Sequence, residues 1–399
     1  MHQRVWLGYA TRRQVPRRLS ARSGALGLID KPVDDHPPAD ITRLSLTWID
    51  CTADVHALSA EWTELAESGG SPFLTREWLQ AWWRAFGKGE PKCPIVWGGD
   101  GRLLAAAFLG MSGHRVSAAA NVHSGEWHIL GASEAARRSV VEALVETDAS
   151  RLTLGPMRRG AGSDLVVDAL RAARYLVHCE FRLSPYMALP DRPEDVLSSA
   201  SKTLRAQVRR RRRALEREGE LTLRTVSQRP ELEAALDAVF AVEGSGWKAR
   251  SKTAITSDAR TELLYRGFAH RATARGWLRL HLLELDGEPI AVEYGCAFAR
   301  TAFLLKTGFR ESWGCFSPGL VLRAAVLEQA VSEDLREYDF LGGPDAYKLR
   351  WTDDIRSRVT IRAYRPARGL PAYAYRSMMR PRLQALRDAA REKVTRRAT

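Results

Sequence analysis

The sequence is poor in cysteine and has no spacing that pairs its cysteines. Its 399 residues contain no Cys-x-x-Cys, and the five cysteines are scattered at Cys51, Cys93, Cys179, Cys296 and Cys315. This scatter argues against a structural zinc site and against a disulfide framework, and it indicates a reducing compartment. His123 and His128 also lack carboxylate or cysteine partners at metal-ligand spacing. We therefore expect no metal.

Long apolar runs are absent as well. No uninterrupted apolar stretch reaches the ~18 residues that a membrane-spanning helix needs. Residues 1–43 carry several arginines and four prolines but lack the apolar middle region of a secretory signal. We predict a disordered basic extension over residues 1–43, no transmembrane segment, and a cytoplasmic location.

Acidic residues are fewer than basic residues. The chain has 61 Lys and Arg against 47 Asp and Glu, a net charge of +14, with arginine concentrated at 12–22, 202–217 and 365–397. A basic surface attracts nucleic acid, an anionic membrane or a polyanionic cofactor, whereas a general preference for arginine explains the charge equally well. No aromatic residues interleave the arginines of 202–217, so we expect no sequence-specific nucleic-acid binding. A peripheral membrane contact stays open.

The order of predicted elements repeats along the chain. A helix at 75–86, which Thr75 would cap, and a hairpin with strands at 94–97 and 103–111 lead into alternating helices and strands. The order recurs after a basic helix at 201–218. There we predict strands at 221–226, 277–285, 289–298, 302–307 and 337–341, and helices at 230–243, 258–276 and 320–334. We predict an α+β protein (α/β layered) of two tandem units, each a mixed, largely antiparallel sheet flanked by helices. The predicted units span 44–185 and 186–370, and a basic C-terminal helix follows over 371–399.

The most informative motifs fall between residues 243 and 351. In order they are Glu243-x-x-Gly246-Trp247-Lys248, the hairpin 285–291, Lys306-Thr307-Gly308-Phe309, Ser317-Pro318-Gly319, the run 338–343, and Tyr347-Lys348-x-x-Trp351. Together with Ser71-Pro72-Phe73, Trp78-Leu79 and Trp82, they resemble the acetyltransferase domain of CelD-type cellulose-biosynthesis proteins. That family lies within the GNAT superfamily and is related to the FemAB peptidyltransferases. The resemblance covers roughly residues 45–366.

The resemblance implies two GNAT-like units and a specific activity. The second unit would be an N-acyltransferase that moves an acyl group from acetyl-CoA or a longer acyl-CoA to an amine, or a hydroxyl. The acceptor would be a small molecule or glycan precursor, sugar-like or amino-acid-like, in exopolysaccharide or cell-envelope metabolism. FemAB-type relatives use aminoacyl-tRNA, so a ligase of that kind is one alternative. A non-catalytic GNAT-like accessory protein is another.

The expected donor site is the start of a helix. Ser can cap a helix, Pro suits its first turn, Gly lets a ligand approach the backbone, and free N–H groups attract an anion. The resemblance places the coenzyme A pyrophosphate at this junction, although Ser-Pro-Gly replaces the usual Gly-rich loop. The basic helix at 202–217 is either a phosphate clamp or a solvated linker. We assign donor binding to Lys306, Ser317, Pro318, Gly319 and Leu320.

Acyl transfer to an amine needs a base for the amine and an acid for the thiolate. Glu243, Glu293 and Asp339 are the candidate bases. Glu293 is favoured because a carboxylate within an apolar strand has a raised pKa, although a solvated strand face is equally compatible. We assign catalysis to Glu293, to Tyr347 as the acid, and to Lys248. Acceptor binding is assigned to Glu243, Trp247, Asp339, which we expect to orient Lys348, and to Lys348 and Trp351.

Overall fold

The N-terminal half begins with a strand and two helices and continues into a hairpin. The computed structural model describes residues 44–50, 59–380 and 383, so the predicted extension 1–43 lies outside the described residues, as does most of the C-terminal helix. The elements are β1 (Ser45–Asp50), α1 (Ser59–Ser68), α2 (Arg76–Phe86), β2 (Glu90–Trp97), β3 (Leu103–Ala106), β4 (Leu109–Ser112), β5 (Arg115–Ala118), β6 (Leu130–Gly131), α3 (Glu134–Glu146), β7 (Arg151–Arg158), α4 (Ala161–Ala172) and β8 (Leu176–Ala188).

The C-terminal half repeats this order. Short 3-10 turns precede α2 and α10, at Pro72–Leu74 and Glu311–Phe316. The elements are α5 (Asp195–Ser199), α6 (Lys202–Leu215), β9 (Leu221–Val226), α7 (Leu232–Glu243), α8 (Trp247–Ser251), α9 (Ala259–Ala274), β10 (Leu278–Leu285), β11 (Glu288–Phe298), β12 (Thr301–Phe309), α10 (Pro318–Ser332), β13 (Glu337–Asp339), β14 (Ile355–Tyr364) and α11 (Pro366–Ala374).

Local chemistry explains where several of these elements begin. The Thr75 hydroxyl accepts the backbone N–H of Trp78 at 3.3 Å, which caps α2 as the sequence predicted. The predicted strand 103–111 is instead two short strands, β3 and β4, and both pair with β2. The strand predicted at 337–341 ends at Asp339, because Leu341 and Gly342 adopt positive φ angles of 51° and 58°.

Each half contains one parallel strand pair joined through a helix. β5 and β7 are parallel and flank α3, and β12 and β13 are parallel and flank α10. The other strand pairs of the described residues are antiparallel. The predicted α+β class, with two units of mixed, largely antiparallel sheet flanked by helices, is confirmed.

An exchanged strand joins the sheet of the N-terminal half to the sheet of the C-terminal half. β14, near the C-terminus, lies between β7 and β8 of the N-terminal half. β8 pairs with β14 over Leu176–Pro185 and then with β13 over Tyr186–Ala188, so fourteen strands form one continuous sheet. The domain bounds 44–185 and 186–370 stay a prediction, but the first sheet is incomplete without a strand from the second range.

The two halves also share one apolar core. The Phe73 ring meets Trp78 edge-on at 4.8 Å and Phe303 at 6.0 Å, and Trp78 meets Phe268 at 4.9 Å. These contacts run from the segment before α2, through α2, to α9 and β12. Large aromatic residues therefore hold the two halves in a fixed position relative to each other. The surfaces that the halves turn toward each other are held in place with them.

One expectation from the cysteine spacing is wrong. Cys93, on β2, is disulfide-bonded, whereas Cys179, Cys296 and Cys315 are free. Sequence spacing cannot report which cysteines a fold brings together, so the scattered pattern did not exclude a bond.

None of the helices in the described residues is long and apolar enough to cross a bilayer.

Candidate active site

Two parallel strands separate in the C-terminal half. β12 pairs with β13 only from Thr301 to Phe303, opposite Glu337 to Asp339. Beyond that point the chain after β13 turns away through Leu341 and Gly342, while β12 runs on to Phe309. Along the described chain, the outer edge of β12 from residue 304 therefore has no strand partner. A strand edge without a partner strand leaves backbone N–H and C=O groups that the sheet does not pair.

A β-bulge marks the start of this open edge. Tyr294 pairs with Lys306 and Gly295 pairs with Leu304, so Leu305 is an extra residue on β12. A bulge twists its strand and re-aims nearby side chains, and such bulges are common beside active sites. The open edge and the bulge occur at the same residues.

The opening leads into a cavity of about 750 Å³ between the two halves. The N-terminal half contributes the loop 120–125 and the facing residues of β7, β8 and β14. The C-terminal half contributes residues 304–307 of β12 and the loop 340–348. A cavity of this size holds a small-molecule ligand. Of the thirteen predicted site residues, four line it: Lys248, Lys306, Tyr347 and Lys348.

Lys248 and Lys348 line the cavity with their ammonium groups already bound. Lys248 Nζ lies 2.7 Å from Glu243 Oε1 and donates to the carbonyl oxygen of Thr307 at 2.5 Å. Lys348 Nζ donates to the carbonyl oxygens of Leu341 and Gly343 at 2.8 and 3.0 Å, and it pairs with Asp345 at 2.9 Å. Lys348 thereby fixes the turn that opens the cleft.

Lys306 is different because its ammonium has no hydrogen-bond partner among the described residues. Its Nζ lies 5.4 Å from the ring centroid of Tyr265, a cation–π contact. Burial, together with the nearby Lys248, lowers the pKa of Lys306, while Glu243 opposes that shift. Lys306 is therefore a cavity lysine with a lowered pKa whose ammonium remains available to a ligand.

Tyr347 presents its phenol to the cavity. Burial raises its pKa to about 12, so the hydroxyl stays protonated at neutral pH. Lys348 Nζ lies 5.5 Å from the centroid of its ring. The position and the protonation state of Tyr347 both fit the predicted acid, a role that remains a prediction.

Two of the candidate bases are committed to other groups. Glu243 is buried at the end of α7, where it accepts the N–H of Ile255 at 2.9 Å and pairs with Lys248. Asp339 is fully buried and pairs with Arg358 at 2.7 Å, and it accepts the N–H of Leu341 at 2.8 Å. Asp339 and Lys348 both bind the backbone of Leu341, Asp339 through the N–H and Lys348 through the carbonyl oxygen, and the orienting role of Asp339 stays a prediction.

The favoured base, Glu293, lies outside the cavity. Its side chain is 1% exposed, pairs with Arg323 on α10 at 2.7 Å and accepts the hydroxyl of Tyr338. A carboxylate held between these two partners, away from the cavity lining, cannot reach an acceptor in the cavity. We assign Glu293 a structural role, since its position contradicts the predicted one.

Four of the five predicted donor residues lie at the start of α10, with a different cap from the one expected, whereas Lys306 lies on β12. Ser317 is the N-cap residue with a φ of 52°, and its side chain makes no capping hydrogen bond. Pro318 occupies the first turn, and a side chain at Gly319 would meet the Phe309 ring at 3.6 Å. Leu320 packs against the small cluster of Leu204, Val208 and Ala324, between α6 and α10.

The arginine-rich helix α6 lies against this helix start. Arg211 Nη1 donates to the carbonyl oxygen of Cys315 at 2.5 Å, and Leu204 and Val208 bury the apolar stripe of α6 against α10. Arg209, Arg210 and Arg213 stay exposed. The contact places Arg211 beside the first turn of α10, where Pro318 has no N–H and Leu320 donates its N–H to the carbonyl oxygen of Ser317 at 3.0 Å.

The two tryptophans give no support for an acceptor groove. Trp351 is partly buried against the cores of α6 and α10 and does not line the cavity. Trp247 begins α8, and its side chain is not among the described groups. Packing is the observed role of Trp351.

Several cavity residues were missed from the sequence. His123 stacks on Phe86 at 5.5 Å, and burial, with Lys306 nearby, lowers its pKa to about 4. Arg182, Arg358 and Arg362 face the cavity from β8 and β14. Only the exchange of β14 brings the arginines together, so no local motif could have shown them. Among the residues that the structure describes, no group of three or more His, Cys, Asp or Glu could hold a metal ion.

Residues 202–349 match the family model described as the acetyltransferase (GNAT) domain. The matched range contains α6, the separated strands and α10. It is less than half of the chain, and it supports the GNAT part of the resemblance without distinguishing the CelD-type branch. No curated protein is similar enough in sequence to count as a match.

Three solved structures are similar to this chain. The crystal structure of FemX superposes with a TM-score of 0.55 at 12% identity, over 79% of this chain and 98% of that chain. L-PGS from Bacillus licheniformis gives 0.46 at 12% identity, over 77% and 97%. A tandem GNAT protein from the clavulanic acid biosynthesis pathway gives 0.42 at 14%, over 80% and 98%. At such identity the FemX match shows a shared fold only.

Proposed function

We propose that the protein transfers an acyl group from acyl-CoA to an amine, or a hydroxyl, of a small-molecule or glycan-precursor acceptor. The observation that carries the proposal is the separation of β12 and β13 beside the Leu305 bulge, inside the range that matches GNAT acetyltransferases. From the CelD-type resemblance alone, we also propose a cytoplasmic role in exopolysaccharide or cell-envelope metabolism.

The donor fits along β12. The pantetheine arm of coenzyme A carries amides, which can pair with the exposed backbone groups of β12 beyond Phe303 as an added strand would. Its pyrophosphate would bind at the first turn of α10, next to the arginines of α6. The thioester would then lie near the bulge and face the cavity.

The acceptor would occupy the cavity, where Lys306 and Tyr347 face it. Its nitrogen or oxygen attacks the thioester carbonyl, the new C–N or C–O bond forms, and the C–S bond breaks. Lys306, in its neutral form, takes the proton that the acceptor loses and passes it to solvent. Tyr347 gives its phenolic proton to the departing sulfur and regains one from solvent.

Isothermal titration of the full-length protein tests this proposal. Acetyl-CoA, longer acyl-CoAs and free coenzyme A are titrated in turn, and micromolar binding is expected. Gly319→Leu should abolish it by covering the first turn of α10. Gly319→Ala is the matched control, since its Cβ meets Phe309 at an ordinary 3.6 Å. Absence of binding by every thioester to the folded protein would contradict the proposal and favour a tRNA-dependent ligase or an accessory role.

A further inference from the structure

The cavity walls carry far more positive than negative charge. Glu180 is the single carboxylate among the described lining residues, against six cations: Arg182, Lys248, Lys306, Lys348, Arg358 and Arg362. A cavity with low-dielectric walls and one sign of charge concentrates ligands of the opposite sign. The ligand of this cavity should therefore be an anion.

Four of these six cations form an ion pair with a carboxylate. Lys248 pairs with Glu243, Lys348 with Asp345, Arg358 with Asp339, and Arg362 with Glu180. Two have no ion pair or hydrogen bond in the described structure: Lys306 on β12, and Arg182 on β8. They belong to opposite halves of the protein, so the uncompensated charge occurs at two separate points of one cavity.

The positive charge around Arg182 is larger than the positive charge around Lys306. On β8, Glu180 and Arg182 are two residues apart and so share the face that lines the cavity. Glu180 accepts from Arg362 Nε at 3.0 Å and from Arg376 Nη1 at 2.9 Å, and Arg380 Nη1 lies at 3.5 Å. These contacts hold the pKa of Glu180 below its usual range. One carboxylate therefore faces four guanidinium groups.

A single carboxylate cannot use the donors of four arginines, because each guanidinium offers five N–H groups in a fixed fork. Arg182 is exposed, and the side chain of Arg380 is 44% exposed. Several forked donors around one carboxylate suit a tetrahedral oxyanion with three or more acceptor oxygens. A phosphate group meets that requirement.

We propose that the acceptor carries a phosphate or diphosphate group, which binds to four arginines that we call the rim arginines. Arg182 and Arg362 line the cavity, and Arg376 and Arg380 contact the cavity residue Glu180. This inference rests on the proposed acyl transfer, and it names the acceptor class. The phosphate end would be held on β8, β14 and the segment after α11, while the amine or hydroxyl reaches Lys306 across the cavity. The site is distinct from the donor pyrophosphate site at α10.

Two sources could supply this phosphate, a soluble phosphorylated sugar or a lipid headgroup. Leu183, at the cavity rim, is 49% exposed, and Met378 and Met379, in the segment that carries Arg376 and Arg380, are 58% and 55% exposed. Apolar side chains among arginines are typical of surfaces that meet an anionic bilayer. The experiment therefore needs one arm for each source.

The full-length protein is titrated with inorganic pyrophosphate in one arm. In the other it is sedimented with vesicles of phosphatidylglycerol and phosphatidylcholine, or of phosphatidylcholine alone. Arg182→Gln and Arg380→Gln should each weaken pyrophosphate binding about tenfold, since a charge-assisted hydrogen bond contributes about that factor. The matched control is Arg138→Gln on α3, whose arginine pairs with Glu134 away from the cavity. Thermal unfolding verifies that each variant is folded.

Each outcome decides the matter. A loss in both rim variants, with Arg138→Gln unchanged, supports the site. Sedimentation with the anionic vesicles that falls in Met378→Asp identifies a lipid headgroup, and pyrophosphate binding without sedimentation identifies a soluble acceptor. Pyrophosphate binding that is equal in the rim variants and wild type, or lost only in Gly319→Leu, overturns the inference. Acetyl-CoA binding by the same variants reports separately on the proposed function.

Discussion

The charged residues around the site form two groups. Some pair with each other inside the protein and support the site, and others face the cavity, where a ligand would bind. The ion pairs Glu293–Arg323 and Asp339–Arg358 are buried, whereas Lys306 and Arg182 face the cavity and form no ion pair with any described residue. The sequence could not separate the two groups. Glu293 satisfied every local criterion for a base, and its real partner, Arg323, comes from a helix thirty residues later.

Glu293→Gln tests that distinction. Loss of the negative charge leaves Arg323 buried and uncompensated, so the free energy of unfolding should fall by about 3 kcal/mol in chemical denaturation. Acetyl-CoA binding should be unchanged. Glu288→Gln, an exposed glutamate on the same strand, is the control and should shift stability by less than about 0.5 kcal/mol. A variant that is as stable as wild type but inactive would restore Glu293 as the base.

His123 should make the fold sensitive to acid. Its pKa is about 4 in the folded protein against 6.5 for a free histidine, so the unfolded state binds more protons between those values. Stability is therefore complete above pH 6.5 and falls as the pH drops toward 4. With a discount for partial exposure, the loss from pH 7 to pH 5 is about 1 kcal/mol. Denaturation of wild type and His123→Gln should show this difference; identical pH profiles would contradict it.

At the scale of elements, β12 and its neighbours determine the site. The hydrophobic pattern correctly placed β9, α7, α9, β10 and β11. In each of them the apolar residues recur with the period of a helix or of a strand, because one face of the element is buried. It could not show that β13 ends at Asp339. That end depends on positive φ angles at Leu341 and Gly342, and leucine gives no sequence signal for such a conformation.

Gly308 fixes β12 against the end of α7. A Cβ at Gly308 would lie 2.6 Å from the Cα of Glu243, which is backbone and cannot move aside. Gly308→Ala should therefore push β12 and α7 apart, lower the free energy of unfolding by about 1–3 kcal/mol and weaken acetyl-CoA binding. Gly314→Ala, whose Cβ would have its nearest neighbour at 3.7 Å, should do neither. A fully stable Gly308→Ala protein would argue against this packing.

At the scale of the whole molecule, the repeated order of elements was readable from the sequence and the strand exchange was not. Periodicity reports whether a segment is a strand, but pairing between strands 180 residues apart depends on the complete fold. β14 carries the cavity arginines Arg358 and Arg362 into the first sheet, so the site missed from the sequence is a consequence of the same exchange.

A chain of residues 44–185 alone should therefore fail to fold. Without β14, β7 and β8 lose the strand between them and expose two unpaired edges, which favours aggregation. Circular dichroism on heating should show no cooperative transition. The same chain with residues 353–366 appended through a flexible linker should regain one. A cooperative transition for 44–185 without the added strand would contradict the role given to β14.

The most direct test of the central claim is hydrogen–deuterium exchange of the full-length protein with and without acetyl-CoA. If the donor lies in the separation of β12 and β13, amides of residues 304–309 and of the first turn of α10 should exchange more slowly with the ligand bound. Residues on β2 and α3, far from the cleft, should be unaffected. Protection confined to other elements, or no protection at saturating ligand, would contradict an acyl-CoA site in this cleft.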